Sequence, residues 1–552
     1  MLIDRDIHTA RALLVDGNNL LRSVTAAQLR DAGVGQVVST GRLRDARVLL
    51  EQQPFDIVVC NREFEGSDES GQDLLDELRR ERLLPFSTVF LMVTGRALYH
   101  QVVEAAEGAL DGFLVRPYSA AVLCQRLAEA RLRKRELSGV LRALDGGQLE
   151  VAFAHALKRF QDRLPFAAYC GRLAAELLLN LDRPADARLL FVKLAETSSE
   201  PWVRLGMARA DLQLGDMNTA KKTLLAVLRD DPKVADAHDL LGRLLADQSD
   251  FNGALEHFRS ATTLTPGCLL RAQHAGALAF YQAHASEARQ WLERTLSLGV
   301  QSKLFDALSL LLMAMLRFDD GDAGGVAGMV DQLRVYRARY PDSVRLRRLH
   351  AAASVLAAMA AGREPAGLEM LAQLSAEVGN DDFDLEAANT LLALWSRMPP
   401  LVQGTPEHES LVERIGMRFC VAKAIGEVLL AAARRTEPAV SVIRRCQARV
   451  LAQSEKALSR AMAGDAQQAI EQLLDDGDSS LNAKLFELAR LLARKHQSTV
   501  PNADALAALA EDRLKRSCKA ANHIAGIQQS GRSPGGMRLR GTHAAELKAA
   551  TG

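Results

Sequence analysis

The sequence predicts two fold classes in one chain: an α/β domain with a five-stranded parallel sheet and, after it, an all-α solenoid of repeated helix pairs. Within the first 136 residues, short apolar runs alternate with segments of helical periodicity. From residue 138 onwards, strand-like runs stop and a small residue recurs at nearly constant spacing. Aromatic residues make up only 5% of the 552 residues, which favours closely packed helices over a large β-sandwich.

Five strand-like runs account for the predicted sheet. We predict strands at 10–17, 36–40, 55–61, 87–95 and 111–117, and helices at 19–33, 41–53, 71–81, 97–109 and 118–136. Strands that alternate with helices form a parallel sheet covered on both faces. Such sheets carry their functional residues at the C-terminal ends of the strands, so the residues that end each run form the candidate site.

Four of these strand ends carry a polar residue in a recognisable order. Asp16 follows the first strand, and Asn61 ends the third. Thr94 ends the fourth strand, and Arg116, before a proline, ends the fifth. In order, spacing and turn residues, the segment 8–134 resembles the receiver domain of two-component response regulators. This resemblance implies a flavodoxin-like fold that takes part in phosphorelay signal transduction.

The segment departs from the receiver pattern at the residues that carry its chemistry. In that family, two acids follow the first strand, an aspartate after the third accepts a phosphoryl group, and a lysine follows the fifth. Here the second acid is replaced by Gly17 or, with a one-residue shift, by Asn18. Asn61 holds the acceptor position, and Arg116 replaces the lysine. A one-residue slip at the acceptor would place Cys60 there, which is not an acid either.

These departures remove the chemistry of phosphoryl transfer. Transfer to a carboxylate needs a carboxylate nucleophile, and the side chain of Asn61 is a neutral amide. The reaction also needs Mg²⁺, which prefers several anionic oxygens, whereas Asp16 is the one acid left in the pattern. The guanidinium of Arg116 could bind Asp16 or Asn61 and fill the phosphate space. We therefore expect a receiver that is not phosphorylated, with no cofactor and with weak or lost Mg²⁺ binding.

A repeat of about 34 residues organises most of the remaining chain. The repeated alanines are Ala152, Ala187, Ala220, Ala254 and Ala288, with spacings of 35, 33, 34 and 34. Each unit is predicted to be two antiparallel helices that cannot bury their apolar faces alone, so neighbouring units stack. The pattern resembles the tetratricopeptide repeat, and we assign residues 138–395 to it.

The repeat loosens after residue 300, and the chain then divides into three further segments. Three prolines interrupt residues 396–410, which we predict to be a linker or broken loop. Residues 411–512 restore the repeat offsets and are predicted to add further helical repeats and a cap. Residues 515–552 have few large apolar side chains, which predicts a disordered basic tail. From Arg513 to Gly552, eight Lys or Arg residues face one acid, a net charge of +7.

Bulk properties argue against several function classes. The net charge of +1 gives no global attraction to nucleic acid or membrane, and any nucleic-acid binding would rest on the tail. The sequence has no run of about 18 uncharged apolar residues, so we expect no membrane span. Its first residues do not resemble a signal peptide. The seven cysteines are dispersed, which fits a reducing cytoplasm. No nucleotide-binding or hydrolase motif occurs, so we expect no enzymatic activity.

The resemblance to tetratricopeptide repeats implies a concave groove that binds a peptide or a helix of a partner protein. In the two most regular units, the groove residues implied by that family are Asp239, Arg243, Gln273 and Tyr281. The sequence thus predicts a cytoplasmic two-component regulator that acts by protein–protein interaction, with a histidine kinase or another response regulator as a partner. Two alternatives stay open: a receiver phosphorylated at another residue, and a nucleic-acid-linked regulator that acts through the tail.

Overall fold

The computed structural model describes residues 6–64, 70–71, 74–75, 78, 84–95, 111–266, 268–299 and 305–518. Five strands come first: β1 Arg11–Val15, β2 Gln36–Thr40, β3 Ile57–Asn61, β4 Val89–Thr94 and β5 Gly112–Val115. The helices around them include α1 Asn19–Asp31, α2 Leu43–Gln52 and α3 Ala120–Glu136. Of the helix predicted at 71–81, the described residues Gly71, Leu74, Leu75 and Leu78 are helical. The helix predicted at 97–109 lies outside the described residues.

All five strands pair in parallel, in the order β2-β1-β3-β4-β5. One face of the sheet packs against Leu29 of α1 and Leu123 of α3. The other face packs against Leu50 of α2 and Leu78. Burial on both faces explains why β1, β3 and β4 are continuous apolar runs without polar alternation. The strand order confirms the predicted flavodoxin-like fold.

After β5, every regular element in the described part of the chain is a helix. The α-helices that follow α3 are α4 Ser138–Asp145, α5 Leu149–Gln161, α6 Ala167–Asn180, α7 Pro184–Ala195, α8 Pro201–Gln213, α9 Met217–Asp230, α10 Ala235–Asp247, α11 Phe251–Leu264, α12 Leu269–Tyr281, α13 Ala285–Gly299, α14 Leu308–Asp319, α15 Ala323–Arg339, α16 Val344–Ala360, α17 Glu364–Ala376, α18 Leu385–Trp395, α19 Pro406–Phe419, α20 Lys423–Ala433, α21 Glu437–Met462, α22 Ala466–Ser480, α23 Ala483–Lys495 and α24 Ala503–Ser517. They confirm the predicted all-α solenoid. None of the helices in the described ranges is long and apolar enough to cross a lipid bilayer.

A Gly-Asp turn connects the two helices in several units. Its glycine has a positive φ, a conformation that other residues rarely adopt, and this conformation terminates the first helix. Its aspartate accepts a hydrogen bond from a backbone N–H three residues further on and so caps the second helix. These turns are Gly215-Asp216, Gly321-Asp322 and Gly464-Asp465, with glycine φ angles of 81°, 75° and 99°.

Glycines opposite phenylalanines set the spacing between helices. Phe191 of α7 is fully buried against the first helix of the next unit, at Gly206 of α8. A β-carbon at Gly206 would lie 2.2 Å from Phe191 Cε1. Within the following unit, a β-carbon at Gly242 of α10 would lie 2.9 Å from Cε1 of Phe258 in α11. The phenylalanine rings therefore occupy the volume that a larger residue would need.

The interruption predicted at 396–410 is shorter than expected and packed. Helix α19 begins at Pro406, because the side chain of Thr405 caps its first turn and proline fits that position. Ser396 and Met398 in the preceding turns are buried. Residues 396–405 therefore form a broken loop between α18 and α19, and residues 406–410 belong to α19.

The first residues of the tail predicted at 515–552 are helical. They belong to helix α24, which ends at Ser517 and carries Lys515 and Arg516 in its last turn. Basic side chains near a helix C-terminus interact favourably with the helix dipole, so this part of the basic run is compatible with a helix. Residues 519–552 lie outside the described part of the chain.

The later helices fold back across the first helices of the middle units. Arg434, after α20, donates from Nη1 to the backbone carbonyl oxygen of Tyr281 at the end of α12 (3.1 Å). Arg397 and Arg435 both donate to the carboxylate of Asp319 at the end of α14, at 2.6–2.9 Å. Residues from beyond α18 therefore pack against units that precede them by 78 positions or more.

The Gly206–Phe191 contact yields a test of this packing. Gly206→Ala is expected to destabilise the array by about 1–3 kcal/mol, because the Phe191 ring must move. The matched control is Gly328→Ala in α15, where a β-carbon meets nothing within 4 Å. Its expected effect is a stabilisation of about 1 kcal/mol from helix propensity. Urea unfolding followed by circular dichroism measures both, and equal stabilities would contradict the close contact.

Candidate functional site at the strand ends

Strand β1 delivers Asp16 to the C-terminal edge of the sheet, where its side chain is 1% exposed. The backbone N–H of Asn18 donates to Asp16 Oδ1 at 2.9 Å. Arg22 in α1 donates from Nη1 to the backbone carbonyl oxygen of Asp16 at 2.5 Å. A carboxylate this deeply buried needs a positive charge beside it.

Arg116, directly after β5, supplies that charge. Its Nη2 donates to Asp16 Oδ2 in an ion pair. Its Nη1 lies 3.5 Å from Asn61 Oδ1, at the end of β3. The planar guanidinium therefore bridges the ends of β1 and β3 through two different nitrogens. A lysine ammonium group has one nitrogen and could not make both contacts in this geometry.

Glu63 joins the site, although the strand pattern does not predict it. Thr94 Oγ1, at the end of β4, donates to Glu63 Oε1 at 2.8 Å. Asn61 Nδ2 donates to the backbone carbonyl oxygen of Glu63 at 2.6 Å. After Asn61 the chain turns back over the strand end and brings Glu63 to the site. In the sequence, only the acidic character of Glu63 indicates that it could belong there.

The two alternatives for the second acid both lack a carboxylate at the site. Asn18 Oδ1 accepts a hydrogen bond from the backbone N–H of Leu21 at 3.1 Å, so this side chain caps α1. Gly17 has no side chain to offer. Neither residue therefore adds an anionic oxygen beside Asp16.

Cys60, the other residue considered at the acceptor position, is fully buried. Its Sγ donates to the backbone carbonyl oxygen of Asn61 at 3.2 Å. Burial raises the pKa of the Cys60 thiol far above its ordinary value, and the charge of Asp16 raises it further. A neutral, buried thiol is a poor nucleophile, so Asn61 remains the residue at the acceptor position.

The described residues at this edge do not form the donor set that Mg²⁺ prefers. Mg²⁺ takes oxygen ligands in near-octahedral geometry. Asp16 is held in an ion pair, Glu63 is bound by Thr94, and Asn61 offers a neutral amide oxygen. No three His, Cys, Asp or Glu side chains in the described ranges group as a metal centre would need. The site is a polar network built around a fixed guanidinium.

Comparisons with known proteins identify the families of both parts of the chain. The family model of the response regulator receiver domain matches residues 12–128, and that of the tetratricopeptide repeat matches residues 178–244. The chemotaxis protein CheY-3 of Vibrio cholerae serotype O1 is 32% identical over 117 residues, which cover 21% of this chain and 88% of that protein. The chain belongs to the response regulator receiver family. The chemotaxis protein CheY of Pseudomonas aeruginosa is 31% identical over 117 residues, 21% of this chain and 92% of that protein.

Solved structures also align with portions of the chain. A CheY-like receiver domain protein from Methanospirillum hungatei is 20% identical and aligns over 23% of this chain and 97% of its own, with a TM-score of 0.21. The protein pilF of Pseudomonas aeruginosa is 22% identical and aligns over 40% of this chain and 96% of its own, with a TM-score of 0.33. The receiver thus accounts for about a fifth of the chain, as the 21% coverage by CheY-3 states.

Of the four residues predicted to line the partner groove, three are buried and Arg243 is partly buried. Asp239, Gln273 and Tyr281 are at most 5% exposed. Asp239 binds Arg243 at 3.3 Å, and Gln273 Oε1 accepts a hydrogen bond from the backbone N–H of Asp306 at 2.6 Å. The groove prediction is wrong for Asp239, Gln273 and Tyr281, because neighbouring and later helices cover these positions.

The charges around Asp239 are balanced within the array. Burial alone would raise the pKa of the Asp239 carboxyl, but Arg243 and His274 lower it below its ordinary value. Burial lowers the pKa of His274, although its contact with Asp239 opposes that shift. Burial also raises the pKa of the Tyr281 hydroxyl above its ordinary value. These side chains hold helices together and are not presented to a partner.

A histidine pair joins α10 and α11. His238 Nδ1 lies 2.9 Å from His257 Nδ1, and His238 Nε2 lies 3.1 Å from the carbonyl oxygen of Pro232. Burial lowers the pKa of both rings, and the charge of His238 lowers that of His257 further. Because both pKa values lie below the ordinary 6.5, the neutral pair stabilises the fold above pH 6.5. This contribution is lost as the pH falls through the folded-state pKa values.

The buried ion pair of the receiver can be tested by removing its cation. Arg116→Ala is expected to destabilise the receiver by about 3 kcal/mol, because it leaves the buried carboxylate of Asp16 without a counter-charge. Arg116→Lys keeps the positive charge and serves as the control. Urea unfolding of the full chain measures both variants. An Arg116→Ala receiver as stable as the wild type would show that Asp16 does not depend on this pair.

The histidine pair predicts a pH dependence that can be isolated by difference. A chain with His238→Gln and His257→Gln cannot titrate at this position. As the pH is lowered from about 7.5 to about 5.5, the thermal midpoint of this variant is expected to rise relative to that of the wild type, because only the wild type loses stability at the histidine pair. His284→Gln, at an exposed position after α12, is the control. A constant difference between the double variant and the wild type across this range would contradict the assignment.

Proposed function

We propose that this two-component regulator has a receiver domain that does not accept a phosphoryl group, and that it acts through protein–protein contacts without catalysing a reaction. The position of the Arg116 guanidinium between Asp16 and Asn61 carries the proposal. A phosphoryl group transferred here would need a nucleophilic carboxylate, and an amide stands at that position. It would also need a divalent cation, and the fixed guanidinium repels one.

The junction between receiver and array supports a docking role for both parts together. Leu137 alone separates α3 from α4. Lys134 Nζ donates to the carbonyl oxygen of Phe86 at 2.6 Å and binds Asp111 at 2.8 Å. The backbone N–H of Phe86 donates to Asp145 Oδ1 at 3.0 Å, and the Phe86 ring belongs to the first core of the array. These contacts favour a fixed orientation of the receiver on the array.

In this proposal, the receiver surface docks a histidine kinase or another response regulator in the cytoplasm. The helical array binds a second protein through a peptide or a helix. Because the first-helix positions Asp239, Gln273 and Tyr281 are buried, we place that binding on other surfaces of the array. The outcome would be scaffolding or sequestration of the two partners.

Glu63 supports a second candidate, a receiver that is phosphorylated at an unusual residue. Its carboxylate lies at the strand-end edge beside Asn61 and is bound by Thr94. A carboxylate can accept a phosphoryl group where a cation neutralises the developing charge. In this candidate the array would be the effector of the modified receiver.

Incubation of the full chain with acetyl phosphate and Mg²⁺ separates the two candidates. The wild-type chain is expected to gain no phosphoryl group by intact-mass measurement, because Asn61 offers no nucleophile. The variant with Asn61→Asp and Arg116→Lys restores the acceptor and the family's lysine, and it is the positive control.

A phosphorylated wild-type chain would contradict the proposal. If the phosphoryl group were then lost in Glu63→Gln, the second candidate would be correct. If it persisted in Glu63→Gln, the receiver would be phosphorylated at another residue, and Glu63 would not be the acceptor.

A further inference from the structure

A cavity of about 710 Å³ lies in the later part of the array, between α16 and α18. Its size is within the range of small-ligand and side-chain pockets. Its floor is apolar, with Leu349 of α16 and Leu391 of α18, and Phe383 lies in the wall before α18. The hydroxyl of Thr390 also lines the cavity; it is 7% exposed and has no hydrogen-bond partner among the described residues. A buried hydroxyl without a partner indicates that something else satisfies it.

Carboxylates outnumber arginines around this cavity. Arg345 donates to Asp306 at 2.6 Å and to Glu386 at 2.6 Å. Arg348 donates to Glu377 and to Asp382, both at 2.7 Å. Among the residues that line the cavity, four carboxylates face three guanidinium groups: Asp342, Asp382, Asp384 and Glu386 against Arg339, Arg345 and Arg348. Four minus three leaves a net charge of −1, which favours a basic segment.

The described chain ends beside the same cavity. Arg418 donates to the backbone carbonyl oxygens of Val378 (2.6 Å) and Asn380 (2.9 Å), in the loop that leads to the cavity wall. Its guanidinium lies 6.0 Å from the ring centroid of Phe383. Cys518 Sγ lies 3.7 Å from the backbone carbonyl oxygen of Leu481, and the next residue, Asn482, donates from Nδ2 to the carbonyl oxygen of Met417, beside Arg418. Residue 519 therefore follows from the side of the array where Arg418 contacts the loop before the cavity wall.

The sequence beyond Cys518 matches the cavity in polarity and charge. Residues 519–552 contain five Lys or Arg and one Glu, a net charge of +4. The apolar pair Ile524 and Ile527 comes first, between Lys519 and Arg532. Eight residues lie between Cys518 and Ile527, and an extended chain over these nine steps spans about 30 Å.

We propose that the segment 519–532 of the same chain binds in this cavity, with Ile524 and Ile527 on the apolar floor and its basic residues at the acidic rim. A backbone or side-chain group of the segment would satisfy the Thr390 hydroxyl. The occupant is therefore part of this chain and competes with any partner peptide for the site. This inference concerns the array and does not depend on how the receiver acts.

Photo-crosslinking of the full chain tests the proposal. The photoreactive residue p-benzoylphenylalanine is placed at position 527, and crosslinked peptides are identified by mass spectrometry after irradiation. We expect crosslinks to peptides from α16 and α18 around Leu349, Phe383 and Leu391. Crosslinks confined to other parts of the array, or no crosslinks, would overturn the proposal. The residues that line the cavity are unchanged in this experiment.

A mixture of ¹⁴N-labelled and ¹⁵N-labelled chains identifies the source of the segment. Crosslinks between peptides of the same isotope alone support binding within one chain. Crosslinks of mixed isotope would assign the cavity to a second copy and overturn the proposal.

Ala387→Trp fills the cavity and is expected to abolish the α16 and α18 crosslinks. Ala338→Trp, at an exposed position of α15, is the matched control and should retain them. Circular dichroism melting verifies that both variants are folded. Undiminished crosslinks in a folded Ala387→Trp chain would count against this site.

Discussion

The close approach of helices at glycine is the contact on which the array depends. At Gly206 and Gly242, a phenylalanine ring occupies the volume that any side chain would need. Helix pairs that cannot bury their apolar faces alone can therefore stack closely, and stacked units share one core. That core extends from Leu205 in α8 to Ala510 in α24. Late helices also contact early ones, as the hydrogen bond from Arg434 to the carbonyl oxygen of Tyr281 shows.

This fold-back changes what the array offers to a partner. Positions on the first helices that would face solvent in an open array lie in buried networks such as Asp239 with Arg243. An unpaired buried charge would be strongly unfavourable, so each acid in these networks comes with an arginine or histidine from the same or the next unit. A partner that binds this array must therefore use other features, and the cavity between α16 and α18 is one with an apolar floor and a charged rim.

Local patterns predicted most of the elements, and long-range contacts explain what they missed. Apolar periods, Gly-Asp turns and the polar residues at strand ends are signals within a few positions, so they indicate helices, strands and the site around Asp16 and Asn61 directly from the sequence. The contact between Arg434 and Tyr281 joins residues 153 positions apart, and no local sequence pattern predicts it. Of the three prolines in 396–410, Pro399 and Pro400 lie in the loop before α19, whereas Pro406 begins that helix.

At the receiver site, the residues at positions 61 and 116 are coupled through Asp16. One buried carboxylate needs one positive charge, and the guanidinium of Arg116 binds it while a second nitrogen faces the amide oxygen of Asn61. An aspartate at position 61 would compete with Asp16 for the same cation and leave one negative charge unmatched. Loss of the guanidinium alone would leave Asp16 unmatched instead. The amide of Asn61 and the guanidinium of Arg116 are therefore compatible with each other. Together they leave the buried carboxylate of Asp16 neutralised by a side chain of the same chain.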